Sequence, residues 1–254
     1  MDLSGKTALV TGANRGMGKA FAEALAEECD VVYAGARDIG TVDAMHENIS
    51  GLQIDLSSRE SIEESFAAGR KQFESVEILV NNAGVLSVGL LEEQDLDKIY
   101  ASLQVNLAGM IHLTKLILPS MLKRGSGCIV NNASMSGYAY FPLASVYAAG
   151  KAGVVGFSES LRREVEPAGL KVMHLVTPGV KTDMLDATEE GYGDHFDTSG
   201  WDQVTSEEWA ESMMKGIHGD SSVVWPGGKT RLATLAARGP SQLLDRAASR
   251  MFKR

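Results

Sequence analysis

Short runs rich in β-branched residues alternate along the chain with longer stretches in which apolar residues recur every three or four positions. The runs predict seven strands, at residues 7–11, 31–36, 51–54, 77–81, 127–133, 170–176 and 222–225. The longer stretches predict helices within 58–73, 96–122 and 146–166, and the clearest apolar stripe, in the first helix, is formed by Met17, Ala20, Phe21, Ala24 and Leu25. Because helices separate nearly every pair of strands, the pattern predicts an α/β fold with a doubly wound parallel sheet.

One long segment breaks this alternation. Residues 183–204 contain Gly, Asp and Thr together with the aromatic or histidine residues Tyr192, His195, Phe196 and Trp201, which predicts a long loop. Loops of about twenty residues are uncommon inside compact domains, and they are often lids or binding segments. We expect a substrate lid over about 183–208, and a flexible surface insertion is the alternative.

A glycine-rich turn lies between the first predicted strand and the first helix. Its sequence is Thr11-Gly12-Ala13-Asn14-Arg15-Gly16-Met17-Gly18. Glycines at such a turn let the backbone approach a pyrophosphate closely, and the helix N-terminus offers N–H groups and a positive dipole end to the anion. Its position favours dinucleotide binding over a tight turn that only packs the helix.

The end of the second strand indicates which dinucleotide is bound. An acid there would bind the ribose 2′-hydroxyl, whereas a cation favours a 2′-phosphate. The strand ends at Ala36 without a carboxylate and Arg37 follows directly, while Arg15 offers a second cation. We therefore expect NADPH, with NADH as the alternative because Asp38 could bind a ribose or pair with Arg37.

A candidate catalytic group follows the fifth strand. Tyr147 and Lys151 lie four residues apart in a predicted helix, so they share one face, and Ser134 ends the strand. A nearby ammonium stabilises a phenolate, so we expect Lys151 to lower the pKa of Tyr147, while the Ser134 hydroxyl holds a substrate oxygen. Tyrosine and lysine at this spacing are by themselves typical of a solvated helix face, but parallel strand ends bring the glycine turn and Ser134 to one rim.

Together these motifs resemble the short-chain dehydrogenase/reductase family over about residues 3–225. The resemblance rests on the glycine turn, Asp55, Asn81-Asn82-Ala83-Gly84, Asn106, Ser134, Tyr147, Lys151 and Pro178-Gly179. It implies a single-domain Rossmann-type sheet with strand order 3-2-1-4-5-6-7. It also implies hydride transfer between a nicotinamide and a carbonyl or carbinol carbon.

The resemblance implies a role for each matched residue. Tyr147 would be the general acid, Lys151 would bind the nicotinamide ribose, Ser134 would orient the carbonyl, and Asn106 would hold a water in a proton relay. Asp55 would contact adenine and Thr182 the nicotinamide carboxamide. The implied cofactor contacts are Gly12, Asn14, Arg15, Gly16, Met17, Gly18, Arg37, Asp55, Leu56, Asn81, Ala83, Gly84, Tyr147, Lys151, Pro178, Gly179, Val180 and Thr182. Asn81, Asn106 and Thr182 also fit purely structural roles, as strand-end hydrogen bonder, buried amide and helix cap.

Two features depart from the family pattern. Few residues separate Arg37 from Asp55, so the helix after the second strand must be short. The adenine contacts that the resemblance implies in this region therefore need not be the same in this chain. At the C-terminus, Trp225-Pro226-Gly227-Gly228-Lys229 and a basic stretch stand where many family members have a glycine-rich interface segment. We therefore expect a homo-oligomer, either a dimer or a tetramer.

Composition narrows the range of functions. The 254 residues are 44% hydrophobic and 22% charged, which excludes a disordered protein, and the net charge of −9 argues against nucleic acid. Cys29 and Cys128 have neither disulfide nor zinc spacing, so no metal is expected. The sequence has neither a signal-peptide segment at its start nor a run of about 18 apolar residues, so a cytoplasmic protein is expected.

The substrate side is predicted to be apolar. The expected substrate residues are Met135, Tyr138, Tyr140, Phe141, Met184 and Leu185, although many of them fit a core equally well. A hydrophobic or aromatic ketone, an aldehyde or the matching alcohol suits them. The expected function is an NADPH-dependent carbonyl reductase or alcohol dehydrogenase; a non-catalytic dinucleotide-binding regulator, an NAD-dependent dehydrogenase and an epimerase or dehydratase are the alternatives.

The C-terminal residues form a separate basic tail. We place the oxidoreductase domain at 1–228 and the tail at 229–254, where seven basic residues and one acid give +6 and leave −15 for the rest of the chain. Leu243, Leu244, Ala247, Met251 and Phe252 predict an apolar stripe on a basic amphipathic helix. Packing against the acidic body or a second subunit is favoured over contact with a membrane.

Overall fold

Seven parallel strands form the central sheet of the computed structural model, which describes residues 1–42, 46–185, 192–195 and 203–236. The strands of the described chain are β1 Thr7–Thr11, β2 Val31–Ala36, β3 Ile49–Gln53, β4 Ile78–Asn81, β5 Gly127–Asn132, β6 Leu170–Leu175, β7 Gly179–Val180, β8 Gln203–Val204 and β9 Val223–Val224. The sheet order is β3-β2-β1-β4-β5-β6-β9, with every neighbouring pair parallel. The predicted fold class and the order that the resemblance implied are therefore confirmed.

Helices cover both faces of this sheet. The α-helices are α1 Gly16–Ala26, α2 Arg59–Ala68, α3 Arg70–Ser75, α4 Leu96–Leu103, α5 Met110–Arg124, α6 Ser145–Val165, α7 Ser206–His218 and α8 Gly228–Ala236. A π-helical turn, Gln104–Gly109, joins α4 to α5. Short 3-10 helices are Ile39–Thr41, Leu91–Glu93, Met135–Gly137, Glu166–Ala168 and Gly193–His195.

The period-two pattern of the strands produces two cores. Ala8 and Val10 of β1 face the helices α1 and α7, with Phe21 among the buried residues of that core. Leu9, between them in sequence, faces the opposite core, which contains Ile117 of α5. Successive side chains of a strand point to opposite faces, so a strand buried on both sides carries apolar residues throughout.

Helix α7 is fixed at both ends by side chains. At its start the Thr205 side chain accepts from Glu208 N at 3.2 Å, and the Glu208 carboxylate accepts from Thr205 N at 2.8 Å. At its end Lys171 of β6 donates to the carbonyls of Gly216, at 2.7 Å, and Ile217, at 3.1 Å. A cation at a helix C-terminus also complements the helix dipole, so α7 is held firmly against the sheet.

The segment predicted as a long loop is more structured at its ends than expected. Gly179–Val180 and Gln203–Val204 pair as a small parallel sheet, and residues 206–208 belong to α7 rather than to a lid. Two-residue strands leave no periodicity in a sequence, which is why the pattern did not show them. Phe196 and Trp201 lie outside the described residues, so the lid remains a prediction.

Helix α4, the π-helical turn and α5 together form one long helical segment. Among the described residues, Leu96–Arg124 has the length and composition to cross a membrane, since an 18-residue stretch within it has a mean hydropathy of 1.3. Its residues Leu113, Ile117 and Met121 are fully buried in the core beside the sheet. A helix packed inside a protein core meets the same criterion, so this segment carries no argument for a membrane span.

The two regions that depart from the family pattern are the connection between β2 and β3 and the C-terminus. The described residues between β2 and β3 contain a 3-10 helix, Ile39–Thr41, which agrees with the expected shortness of this connection. Helix α8 begins at Gly228, and residues 237–254 of the basic tail lie outside the described part of the chain. The domain boundary and the amphipathic tail therefore stay predictions.

Candidate active site

The glycine turn after β1 is as tight as the sequence required. Gly12 has φ +66°, and a Cβ on it would lie 2.9 Å from Ala83 Cα. A Cβ on Gly18 would lie 2.0 Å from the carbonyl oxygen of Gly12. No side chain caps the start of α1, whose first turn contains no acid. The helix therefore presents its N–H groups and positive dipole end at the rim, which fits a pyrophosphate.

The two arginines predicted to hold a 2′-phosphate lie in different surroundings. Arg37 is exposed directly after β2 and has no ion-pair partner in the described ranges. Asp38 accepts from Gly40 N at 2.9 Å and caps the 3-10 helix, so its carboxylate is turned into its own loop. Arg15 instead pairs with Asp183 at 2.9 Å, although both side chains are more than three-quarters exposed. Exposed pairs of this kind contribute little energy, so the pair with Asp183 does not prevent Arg15 from binding a phosphate, and both arginines stay predicted ligands.

A chain of side-chain hydrogen bonds runs beneath the rim. The Asn82 amide donates to the Thr11 carbonyl at 3.0 Å, and Asn132 donates to the Asn82 side-chain oxygen at 2.9 Å. The Asn132 side-chain oxygen accepts from the Thr177 hydroxyl, which in turn accepts from the Trp209 indole at 3.0 Å. This chain, which we call the rim network, joins the ends of β1, β4, β5 and β6 to α7.

Several residues expected at the adenosine side have structural bonds. Asn81 is buried and donates to Asn131 Oδ1 at 2.8 Å and Thr114 Oγ1 at 3.0 Å, so only its backbone faces the rim. Its Oδ1 has no hydrogen-bond partner within the described chain. Asp55 accepts from Ser57 N at 2.9 Å, which leaves a second carboxylate oxygen for a ligand.

The other residues predicted to contact the adenosine would do so through their backbone. Leu56 is buried and its carbonyl accepts from the Gln104 amide at 3.2 Å. The Ala83 N–H donates to the Thr11 hydroxyl at 3.0 Å. A Cβ on Gly84 would lie 3.1 Å from Asn106 Oδ1, so a larger residue there would require the Asn106 side chain to shift.

Ser134, Tyr147 and Lys151 come together as the spacing predicted. Ser134 lies two residues after the end of β5, is buried, and its side chain is near enough to the Tyr147 phenol to act on the pKa of that group. Tyr147 and Lys151 lie on one face of α6, with Lys151 Nζ 5.7 Å from the Tyr147 ring centroid. The ammonium donates to the Asn132 carbonyl at 2.7 Å, so the lysine is held where the rim network passes.

Burial changes the acidity of both α6 groups. It raises the pKa of Tyr147 to about 12, and the neighbouring Ser134 side chain, which lowers it, opposes this only in part. It also lowers the pKa of Lys151 to about 8. The expected lowering of the Tyr147 pKa by Lys151 is therefore not found, because the ammonium is directed to the Asn132 carbonyl. A protonated Tyr147 is suited to donate a proton, as a reductase requires.

The depressed lysine pKa predicts a pH-dependent stability. Between pH 8 and 10.5 the unfolded chain, with a lysine pKa near its usual 10.5, binds more protons than the folded protein, so stability of the native sequence rises with pH. Lys151→Met lacks this dependence. We expect the difference in free energy of unfolding between Lys151→Met and the parent to shift by about 3 kcal/mol in the parent's favour across that window.

Urea unfolding at pH 7.5, 9 and 10.5 measures this shift. Lys98→Met, which replaces an exposed lysine of α4, is the matched control and should show no such trend. A difference that stays constant over the three pH values would contradict a depressed pKa at Lys151.

Asn106 lies in the π-helical turn, and its side chain braces the segment after β4. Its amide donates to the Val85 carbonyl at 2.8 Å and its Oδ1 accepts from Val85 N at 2.8 Å. The amide also donates to Ser102 Oγ at 3.1 Å. The structure thus directs this side chain to Val85 rather than to Lys151. π-Helical turns are frequent at functional sites. The proton relay through a water at Asn106 therefore stays a prediction, in which the backbone of the π-helical turn would hold the water.

An apolar cavity opens beside Ser134 and Tyr147. Its described wall includes Pro178, Gly179, Val180 and Thr182, and its apolar side chains are Met17, Leu86, Val88, Met135, Met184 and Leu185. Three predicted substrate residues, Met135, Met184 and Leu185, are on this wall. Leu86 and Val88 were not predicted from the sequence. They lie two residues apart just after the Asn81–Gly84 motif, and this alternation of apolar residues beside a matched motif could have identified them.

The other three predicted substrate residues lie elsewhere. Tyr138 bonds His174 Nε2 through its hydroxyl at 2.7 Å and packs on Trp225 at 5.1 Å between ring centroids, outside the cavity wall. Tyr140 is 58% exposed, and Phe141 packs against the buried Leu143. Leu143 has φ +67°, an uncommon conformation for a leucine, in the turn before α6. The apolar stretch after Ser134 therefore divides between core and surface.

Comparison with known proteins decides the family. The family model described as short chain dehydrogenase matches residues 6–193. The chain belongs to the short-chain dehydrogenase/reductase family. As a member of this family it is an NAD(P)-dependent oxidoreductase that acts on CH–OH groups or the matching carbonyls.

Curated relatives and solved structures agree with this assignment. The chain is 39% identical over 201 residues to the 3-oxoacyl-[acyl-carrier-protein] reductase of Vibrio cholerae, covering 75% of this chain and 80% of the relative. It is 38% identical to the Haemophilus influenzae reductase of the same name, over 72% and 78%.

Two solved structures of this family show the same fold. A Burkholderia cenocepacia short chain dehydrogenase in complex with NADP has a TM-score of 0.84 at 23% identity, covering 98% of this chain and 99% of the other. A Sphingobium yanoikuyae short-chain dehydrogenase in complex with NADPH has a TM-score of 0.78 at 25% identity, covering 95% of each chain.

Proposed function

We propose that this short-chain dehydrogenase/reductase uses NADPH to reduce the ketone of an apolar substrate, and that 3-oxoacyl thioesters are its substrate class. The observation that carries the proposal is that Ser134 and a protonated Tyr147 line the same apolar cavity side by side. A neutral phenol beside a hydroxyl is suited to receive a carbonyl oxygen and protonate it.

Each member of the trio has a defined task in this reduction. When bound, the cofactor supplies a hydride to the carbonyl carbon. Ser134 holds the carbonyl oxygen by hydrogen bonding, and Tyr147 gives its phenolic proton to that oxygen as negative charge develops there. The product is an alcohol, and Tyr147 is left as a phenolate. Lys151 is assigned to the nicotinamide ribose, and the Asn132 carbonyl holds its ammonium in place beside Tyr147.

The choice of NADPH rests on the end of β2. Arg37 is exposed there, whereas the nearest acid, Asp38, is used to cap its own loop. A guanidinium makes planar, charge-assisted contacts with a phosphate. The solved Sphingobium relative with NADPH supports the same cofactor.

The choice of 3-oxoacyl substrates rests on the cavity and on the relatives. The cavity wall offers apolar side chains such as Leu86, Met135 and Leu185 to an acyl chain. The curated relatives are named as reductases of 3-oxoacyl groups. A non-catalytic regulator of the same fold would have no need of the Ser134–Tyr147 pair.

NADPH consumption across a panel of carbonyl compounds tests the proposal. The panel contains 3-oxoacyl thioesters, simple ketones, aldehydes and quinones, with the product stereochemistry determined. We expect the highest kcat/KM with a 3-oxoacyl thioester. Turnover confined to aldehydes or quinones would reject the substrate class, and no turnover with any compound would reject the reaction.

Arg37→Ala tests the cofactor assignment. Loss of a charge-assisted bond worth about 1.5–3 kcal/mol is expected to raise KM for NADPH by about 10- to 100-fold, with KM for NADH nearly unchanged. Steady-state kinetics with both cofactors measures the ratio. Lys71→Ala, which removes an exposed charge on α3 at the opposite end of the sheet, is the control. Equal losses for both cofactors would show that Arg37 is structural.

A further inference from the structure

We propose that Trp209 is a positioning residue for Lys151, on which it acts through a chain of buried side-chain hydrogen bonds. The indole lies on α7 and is not part of the described wall of the apolar cavity, so its influence on the site is indirect. That influence runs through Thr177 and Asn132 and fixes the carbonyl that receives the Lys151 ammonium. The inference rests on the proposed place of Lys151 at the nicotinamide ribose, and it goes beyond that place by naming the residue that sets it.

The direction of the hydrogen bonds in the rim network is set at its Trp209 end. An indole N–H can only donate, so the Thr177 hydroxyl accepts from Trp209, at 3.0 Å. The proton of that hydroxyl is then given to Asn132, whose side-chain oxygen accepts it. The Asn132 amide nitrogen therefore faces Asn82, to which it donates at 2.9 Å. One donor on α7 thus determines how the Asn132 side chain is oriented.

Asn132 connects this chain of bonds to Lys151. Its side chain is bonded at both ends, to Thr177 and to Asn82, while its own carbonyl accepts from Lys151 Nζ at 2.7 Å. Asn132 is the last residue of β5, so this carbonyl stands where the strand ends. A rotation of the Asn132 peptide would move the acceptor away from the ammonium.

The burial of Lys151 makes this acceptor important. Lys151 is 5% exposed, and a buried ammonium without a hydrogen-bond acceptor is costly. The Asn132 carbonyl is the acceptor that the described residues give it. Tyr147, whose ring centroid lies 5.7 Å from Nζ, is the titratable side chain that the described contacts place beside it. The position of the ammonium therefore follows the position of the Asn132 carbonyl.

Trp209 is held firmly enough to impose an orientation on its partners. It is 3% exposed in the core on the α1 side of the sheet, and its backbone N–H donates to the Thr205 carbonyl at 3.2 Å. Helix α7 is fixed at its start by the bonds between Thr205 and Glu208 and at its end by Lys171. The indole therefore orients the Thr177 hydroxyl rather than following it.

Cofactor binding as a function of pH tests this role. NADH is titrated by its fluorescence between pH 6 and 10, because NADH lacks the 2′-phosphate, which itself titrates at about pH 6. The variants are Trp209→Phe, which removes the indole N–H, Thr177→Val, which removes the hydroxyl with little change of shape, and the double variant. Lys151→Met identifies the contribution of the lysine to the profile, and NADPH is titrated at pH 8 for comparison.

Two substitutions are matched controls. Thr177→Ser keeps the hydroxyl and should restore the behaviour of the parent. Thr114→Val removes another buried hydroxyl, which accepts from the Asn81 amide at 3.0 Å and donates to the Met110 carbonyl at 2.8 Å, outside the rim network. Thermal unfolding of every variant reports a loss of stability separately from a loss of binding.

In the parent protein we expect NADH affinity to fall above a midpoint near pH 8, where Lys151 loses its proton. Without the carbonyl in place the ammonium loses a hydrogen bond, so Trp209→Phe and Thr177→Val should each lower the midpoint by about one pH unit. At pH 8 each should weaken NADH and NADPH alike by about five- to tenfold, because both cofactors contain the nicotinamide ribose. The double variant should lose no more than either single variant, since both substitutions break one chain.

Four results would overturn the inference alone. They are a midpoint and an affinity in Trp209→Phe equal to those of the parent, a Thr177→Ser variant as impaired as Thr177→Val, an equal loss in Thr114→Val, and a double variant that loses clearly more than either single variant. Binding by Lys151→Met equal to that of the parent at every pH would overturn the proposed place of the lysine as well. Because the measurement needs no turnover, a failure to find a reduced substrate would contradict the proposed reaction and not this inference.

Discussion

Replacement of Tyr147 by phenylalanine is expected to lower kcat by about three orders of magnitude. The phenyl ring keeps the packing of α6 but has no proton to give, and the developing charge on the substrate oxygen loses its acid. Ser134 remains to bind that oxygen, so we expect KM for the substrate to change by less than about tenfold. Steady-state NADPH oxidation with the best substrate of the panel measures both constants.

Binding and folding readouts make the Tyr147 result specific. NADPH affinity, followed by the fluorescence of the reduced cofactor, should stay within about threefold of the parent because the glycine turn and Arg37 are untouched. Tyr100→Phe, at a tyrosine that is 70% exposed on α4, is the matched control and should be fully active. A Tyr147→Phe variant with kcat within tenfold of the parent would refute the assignment of Tyr147 as the acid.

The second large effect is expected from Gly18→Ala. An alanine Cβ at this position would lie 2.0 Å from the Gly12 carbonyl and 2.6 Å from the Asn82 amide, both of which belong to the rim. The Gly12 carbonyl is part of the backbone and cannot move aside as the end of a flexible side chain can. The glycine turn must therefore open to admit the alanine. We expect a loss of about 3 kcal/mol or more in the free energy of unfolding, together with a fall in NADPH affinity of more than about tenfold.

Urea unfolding and NADPH fluorescence titration measure the two losses for Gly18→Ala. Gly156→Ala is the control, since a Cβ there meets nothing within 4 Å on the exposed side of α6. That variant should gain about 0.5–1 kcal/mol, because alanine is the better helix former. Gly18→Ala with unchanged stability and cofactor affinity would mean that the turn is not the close approach described.

The βαβ framework could be predicted from the sequence because its signals are local. Strands β1 and β2 have the bounds expected from their β-branched runs, and the apolar stripe of α1 identified the face that meets the sheet. The same is true of Ser134, Tyr147 and Lys151, whose meeting follows from one helical turn and one strand end. Parallel strands that all end at one rim convert such local features into a site.

The failures of the sequence predictions concern tertiary choices. Whether Tyr138 enters the cavity or packs on Trp225 depends on the path of a short turn, which apolar character alone does not determine. The left-handed Leu143 gives no sequence signal, since glycine is the residue expected there. The Tyr147 pKa depends on where the Lys151 ammonium points, and the Asn132 carbonyl that receives it is a backbone atom with no sequence pattern.

The rim network has a thermodynamic consequence. Because Asn82, Asn132, Thr177 and Trp209 tie four strand ends to α7, the base of the crevice is ordered as part of folding rather than at each encounter with a ligand. Ordering entropy that has already been lost does not count against association. Calorimetric titration of NADPH should therefore show little ordering of this base.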